Sequence, residues 1–260
     1  MVSFFTYSRK RGERMEDKEY TLVEHLEELR KRLIIICVVF LVALLVGFLF
    51  APDILQFLKS QEVAKQVDWN VFGYTDGISI YVKCALLVAI CFTLPVGMHQ
   101  IWQFTKPGLT NKEATSAGTF IPAAFLLFII GVSFSYFILF PLMLNFMANI
   151  NKTIGATETY GMQQYFTLMF NLLIPVGLVF ELPVVILFLT KLGIVTPARL
   201  RKMRKIAYFI LIVVGVMISP PDFVSDFLII IPLLLLFEIS IIVSEKTYKK
   251  QLKNAEEVTN

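Results

Sequence analysis

Charge is scarce in this sequence. Only 17% of its 260 residues are Asp, Glu, Lys or Arg, against the roughly 25% usual in soluble domains. Such a chain has too few charged groups to cover a solvated surface of its size. Histidine is scarcer still, with His25 and His99 alone. No Ser/His pair, no paired intramembrane Asp and no metal-ligand cluster can be assembled from this set, which argues against an enzyme, with no catalytic residue, metal or cofactor expected. The fragment His25-Leu26-Glu27-Glu28 lacks the second His of a zinc-protease helix. The three cysteines, Cys37, Cys84 and Cys91, all fall in apolar blocks. Cys84 and Cys91 are separated by about 10 Å along a helix, too far for a disulfide, so all three read as small buried apolar residues. The net charge of +4 is modest and gives no sign of nucleic-acid binding.

What the chain has in abundance is apolar residues, 57% of the total, with a mean hydropathy of +0.71. They come in long blocks. A bilayer-spanning segment must satisfy its backbone hydrogen bonds internally, so these blocks predict helices. The fold class expected is an all-α integral membrane protein with six transmembrane helices, at about 33–51, 78–102, 118–141, 163–190, 206–219 and 227–244. The last two are short, rising about 24 Å if the first is run on to Pro221 and about 27 Å for the second, and Ser219-Pro220-Pro221-Asp222 breaks the chain between them. Either they form two short spans or one hairpin that does not fully cross. No internal repeat is visible.

Lys and Arg mark one face. Eight lie before the first block, two in the loop after the second, six in the loop after the fourth and four in the tail. The opposite loops hold only Lys59, Lys65 and Lys152, with Lys83 inside a span. The positive-inside rule places both termini in the cytoplasm. The organisation expected is a basic tail over 1–19, a single six-span domain over 20–245 and a cytoplasmic tail over 246–260. About thirty polar residues precede the first block, so no cleavable signal peptide is expected.

Before the first span, Leu22, Leu26, Leu29 and Leu33 form one stripe at helical spacing. Thr21 and Glu24 fit a capping box, and Glu27–Lys31 and Glu28–Arg32 fit i,i+4 pairs. This predicts an amphipathic cytoplasmic helix along the membrane surface, feeding the first span. Within the spans, Glu181 is bracketed by Pro175 and Pro183, which should kink its helix. Two readings stay open: a polar spot that contacts a partner helix or thins the membrane, or a protonated glutamate hydrogen-bonded to a nearby hydroxyl or amide. Lys83 should snorkel outward, and Asp222 should cap the helix that follows it.

The motifs, taken in order, resemble one family. His25-Leu26-Glu27-Glu28-Leu29-Arg30-Lys31-Arg32-Leu33 closely resembles the N-terminal signature of TatC, the multi-spanning core subunit of the twin-arginine protein translocase. Trp102-Gln103-Phe104 with Pro107-Gly108-Leu109 resembles that family's first cytoplasmic loop, and Phe180-Glu181-Leu182-Pro183 its fourth-helix motif. Lys191-Leu192-Gly193-Ile194-Val195-Thr196-Pro197 resembles its second cytoplasmic loop. Ser219-Pro220-Pro221-Asp222, and Pro232 through Phe237-Glu238-Ile239, resemble its last two helices. The basic flank usual after the loop glutamate is replaced here by Ala114-Thr115-Ser116-Ala117-Gly118.

The resemblance implies a receptor and assembly platform in a prokaryotic cytoplasmic membrane. Such a platform binds twin-arginine signal peptides and assembles single-span TatA-type, and in some systems TatB-type, subunits with further TatC copies in the lipid bilayer. Folded cargo then crosses on the proton-motive force. Glu28 and Glu113 are the implied carboxylates for the two guanidinium groups, with Arg30 orienting Glu28 or shaping the site. Their structural alternatives are a Glu28–Arg32 pair and a Thr110–Glu113 capping box. Glu181 and Pro183 are implied in partner contact, and Pro221 and Asp222 in a periplasmic turn. A secondary transporter is the rival reading, but it needs a midplane site of several polar groups.

Overall fold

A computed structural model describes residues 22–61, 64, 69–105, 120–155, 161–220 and 222–259. Among these residues the chain is helical, with a lone backbone bridge between Asn70 and Gly161 in place of any strand. Helix α1 runs without a break over Leu22–Ser60. No glycine or proline interrupts it before Gly47, and Lys31 pairs with Glu27 at 3.0 Å in its first turns. The predicted surface helix and the first span are therefore one rod. Leu26, Leu29 and Leu33 are exposed along it.

Helix α2 spans Asp76–Thr105. Its start is set by Asp76, whose buried carboxylate accepts from the backbone N–H of Gly73 at 2.9 Å and of Phe72 at 3.2 Å. The third rod joins α3 (Phe120–Phe134), a π-helical turn (Ser135–Leu139) and α4 (Phe140–Thr153), beyond the predicted end at 141. Pro141 follows that turn and supplies no N–H to it.

The fourth rod is broken. Helix α5 (Met162–Val179) ends at Phe180–Glu181, and α6 (Leu182–Lys191) begins with Pro183 in its first turn. Pro183 has no N–H for the carbonyl of Val179, so the ladder stops there. Pro175, by contrast, lies inside uninterrupted helix. Helix α6 closes on Gly193 at φ 70°. Ile194 N–H reaches Leu189 O at 3.1 Å and Gly193 N–H reaches Thr190 O at 3.0 Å, a left-handed cap that needs glycine. A short α7 (Pro197–Lys202) leads to α8 (Arg204–Ile218) and α9 (Phe223–Thr259).

Among the described residues, five rods are long and apolar enough to cross a membrane: Leu26–Ser60, Asp76–Thr105, Ile121–Thr153, Met162–Lys191 and Phe223–Leu252. Helix α8 is short, rising about 22 Å. The expectation of two short closing helices fits α8 only. The apolar part of α9 is followed by Lys, Gln and Glu, good helix formers that carry it on to Thr259.

The α5–α6 rod is the centre of the bundle. Half of its most apolar window is buried, against 11% for the first rod. Phe166, Met169, Phe170, Leu172 and Val176 of α5 pack with Ile80 and Cys84 of α2, Phe140 and Met143 of α4, and Ile229 and Leu233 of α9. Small residues permit the closest crossing. A Cβ on Gly131 of α3 would stand 2.7 Å from Phe180 Cβ and 3.0 Å from Gly177 Cα.

Two sequence expectations fail here. Cys84 is buried and Cys91 half-buried, but Cys37 is exposed, because α1 buries only a narrow face. Lys83 does not snorkel outward; its ammonium turns sideways onto α5 and donates to Thr167 Oγ1 at 3.0 Å.

Candidate functional site

The end of the bundle that holds the start of α1 and the close of α2 carries a polar network. Glu28 and Arg32 stand one turn apart on α1. Arg32 Nε donates to Glu28 Oε1 at 3.1 Å, and its Nη2 donates to the same oxygen. The remaining terminal nitrogen, Nη1, reaches across to α2, donating to Gln103 Oε1 at 2.9 Å and Gln100 Oε1 at 3.3 Å. Gln103 in turn meets His99 Nε2 at 3.2 Å. A planar guanidinium with five N–H donors suits this fork. The Arg32 side chain is 16% exposed and that of Glu28 27%, so the pair is half-buried rather than a solvated surface bridge. Arg30 is exposed and stands outside this network.

The same pair is the structural alternative foreseen for Glu28, and it is present. Both contacts use Oε1. Glu113 lies outside the described residues, as do Thr110 and the Pro107-Gly108-Leu109 segment. Local spacing pointed to Arg32. Gln100 and Gln103 escaped notice because their partner lies 68 and 71 residues away.

Two further ion pairs stand between α7–α8 and α9. Arg204 Nη2 donates to Glu238 Oε2 at 2.7 Å, and Tyr208 Oη donates to Glu238 Oε1. Arg201 Nε donates to Glu245 Oε1 at 2.6 Å. Glu238 is thus paired with the basic segment at the start of α8 through Arg204. A buried hydroxyl contact, Thr190 to Ser244 at 2.7 Å, ties α6 to α9, and Gln251 Nε2 donates to Lys191 O at 3.1 Å.

Glu181 sits where α5 breaks. It is 7% exposed, and neither carboxylate oxygen has a side-chain hydrogen-bond partner among the described residues. Among the described residues no side-chain hydroxyl or amide bonds it, and the polar group that faces it is the backbone of Phe128. Such a carboxyl, buried and unsatisfied, is costly, by about 1–3 kcal/mol. Pro183, two residues on, is buried and stands in the first turn of α6. At the opposite end, Asp222 Oδ1 accepts from Ser225 N–H at 2.7 Å, which is the capping role. Pro221 lies outside the described residues.

Comparisons with known proteins agree with this geometry. A family model described as "Sec-independent protein translocase protein (TatC)" matches residues 24–232. The chain is 42% identical over 242 residues to the Sec-independent protein translocase protein TatCy of Bacillus subtilis (strain 168), covering 93% of this chain and 95% of that one. It is 34% identical to the TatC protein of Aquifex aeolicus (strain VF5), over 88% of this chain and 97% of that one. Among solved structures, "Crystal Structure of Twin Arginine Translocase Receptor- TatC" superposes with a TM-score of 0.75 at 33% identity, covering 86% of this chain and 99% of that chain.

Proposed function

This chain belongs to the TatC family of Sec-independent protein translocase proteins, and we propose that it is the signal-peptide receptor and assembly core of a twin-arginine translocase. It is a multi-pass membrane protein of protein transport. In our reading it sits in a prokaryotic cytoplasmic membrane with both termini inside. The five long rods then cross, and the short α8 makes a sixth crossing where the bilayer thins. The Lys/Arg asymmetry and the even number of crossings support each other.

The observation that carries the receptor reading is the half-buried Glu28, held by Arg32 of α1, which is itself anchored to Gln103 of α2, at the end of the bundle assigned to the cytoplasm. Capture of an incoming guanidinium by a charge-assisted hydrogen bond needs a carboxylate oxygen held in a fixed orientation. Oε1 is engaged by Arg32, so Oε2 is the oxygen offered to a peptide arginine. Glu113 supplies the second carboxylate and Arg30 shapes the rim. Glu181, buried and unsatisfied beside Pro183, is offered to a single-span TatA-type or TatB-type helix. Pro221 and Asp222 shape the periplasmic turn, and other TatC copies complete the complex. Folded cargo crosses on the proton-motive force.

Replacing Glu28 and Glu113 together by Ala should abolish photo-cross-linking to a twin-arginine signal peptide while the chain still inserts in membranes. Unchanged cross-linking would overturn the site. Complementation of a cell lacking its own TatC, with matching partner subunits and a folded twin-arginine reporter, tests the wider function.

A further inference from the structure

Lys83 is a formal charge inside the second rod. It lies seven residues, about 10 Å, from the start of α2 at Asp76. Its ammonium is held by α5, on Thr167 Oγ1 at 3.0 Å and Asn171 Oδ1 at 3.5 Å. Both acceptors are neutral. Among the described residues no carboxylate forms an ion pair with it. Asp76 turns its Oδ2 to the backbone of Phe72 and Gly73. Glu181 is ten residues beyond Asn171, about 15 Å along the rod. A cation in a membrane rod calls for an anion or water beside it.

The three side chains also have donors to spare. An ammonium has three N–H groups, and two are used here. The hydroxyls of Thr105, Thr153 and Thr190 each donate to a carbonyl one turn back, but that of Thr167 makes no such bond, which leaves its hydrogen free. Asn171 is exposed and accepts through Oδ1, which leaves its NH₂ as a donor. Lys83, Thr167 and Asn171 thus form one polar cluster between α2 and α5 that carries an N–H, an O–H and an amide NH₂ beyond those used within it. On the same two helices Val82, next to Lys83 in sequence, and Leu178 are exposed apolar residues.

Depth points to the occupant. A helix of 30 residues is about 45 Å long, against ~30 Å of hydrocarbon. A residue about 10 Å from its start lies close to the boundary where phospholipid headgroups begin. We propose that Lys83, Thr167 and Asn171 form a binding site for the phosphate of a phospholipid, in the leaflet opposite the Glu28 network. The phosphate oxygens take the three spare donors, and the acyl chains lie along the exposed apolar surface of α2 and α5.

The test is native mass spectrometry of the full chain in detergent, titrated with phosphatidylglycerol and, separately, with dioleoylglycerol, which lacks the phosphate. Occupancy of the first-bound phosphatidylglycerol should fall about tenfold in Lys83→Gln, the weight of one charge-assisted hydrogen bond. It should fall also in Thr167→Val and Asn171→Leu, and be largely kept in Lys83→Arg. Dioleoylglycerol should bind weakly and alike in all of them. Unfolding midpoints identify any variant that fails to fold, and the remaining variants then carry the test. Equal phosphatidylglycerol occupancy in wild type and the folded variants overturns the proposal. So does displacement of the lipid by millimolar glycerol phosphate, which would assign the site to a soluble phosphate. Contact of Lys83 with a partner helix's carboxylate, with lipid occupancy unchanged by Lys83→Gln, overturns it as well.

Discussion

Arg32 on α1 donates to Gln103 on α2 at 2.9 Å, across 71 residues of sequence. The guanidinium that neutralises Glu28 is therefore anchored to a second helix. A lone i,i+4 pair on an exposed helix contributes only a few tenths of a kcal/mol. This one is half-buried and shared among Glu28, Gln100 and Gln103.

Removal of that guanidinium should be felt beyond α1. Arg32→Ala strands a half-buried carboxylate and two amides, and is expected to destabilise the chain by about 1–3 kcal/mol. Gln103→Ala should cost less, since Gln100 still accepts. Arg32→Lys should fall between, because a point charge cannot reproduce the fork. Thermal unfolding in detergent ranks the three; equal midpoints for Arg32→Ala and wild type would contradict the bracing role.

Glu181 should show the opposite sign. A buried carboxyl with no partner weakens the fold, so Glu181→Leu should stabilise the isolated chain by about 1–3 kcal/mol. If the residue serves partner contact, export of a twin-arginine reporter should fall in the same variant. A lower unfolding midpoint for Glu181→Leu would reveal an internal partner for the carboxyl.

The α3–α5 crossing is a matter of space. Gly131→Val places atoms inside Phe180 and against Gly177, and should destabilise by about 1–3 kcal/mol. Gly77→Ala in the first turn of α2 meets nothing within 4 Å and should leave the midpoint unchanged or raise it. Similar losses at both positions would show that helix propensity, not contact, governs these sites.

Asp222→Ala should cost about 1 kcal/mol through loss of the cap on α9. Asp222→Asn should keep most of it. Amide exchange at Ser225 reads the cap directly, and unchanged protection in the Ala variant would remove the capping role.

How much of this was legible beforehand depends on the range of each interaction. Glu27–Lys31 and Glu28–Arg32 follow from helical spacing alone, and both pairs form. The break near Glu181 was legible from Pro183, since a missing N–H is a local property. Pro175 sent the same signal, yet its helix continues through it. Gln100 and Gln103 were out of reach, for nothing local to α2 points to a guanidinium on α1. Cys37 and Lys83 were misplaced for a related reason. Their positions along a rod are plain from sequence, but the direction each faces is not.

By itself the sequence determined where the apolar rods lie, which loops are basic, and which motifs mark the family. Backbone hydrogen bonding and the burial of charge enforce these residue by residue. Only the tertiary structure decided which helix faces are buried and which exposed, which distant polar groups meet, and that Glu181 has no side-chain partner among the described residues. The physical reason is that lipid and protein interior are both dry and apolar, so a leucine suits either and leaves no periodic trace of the difference.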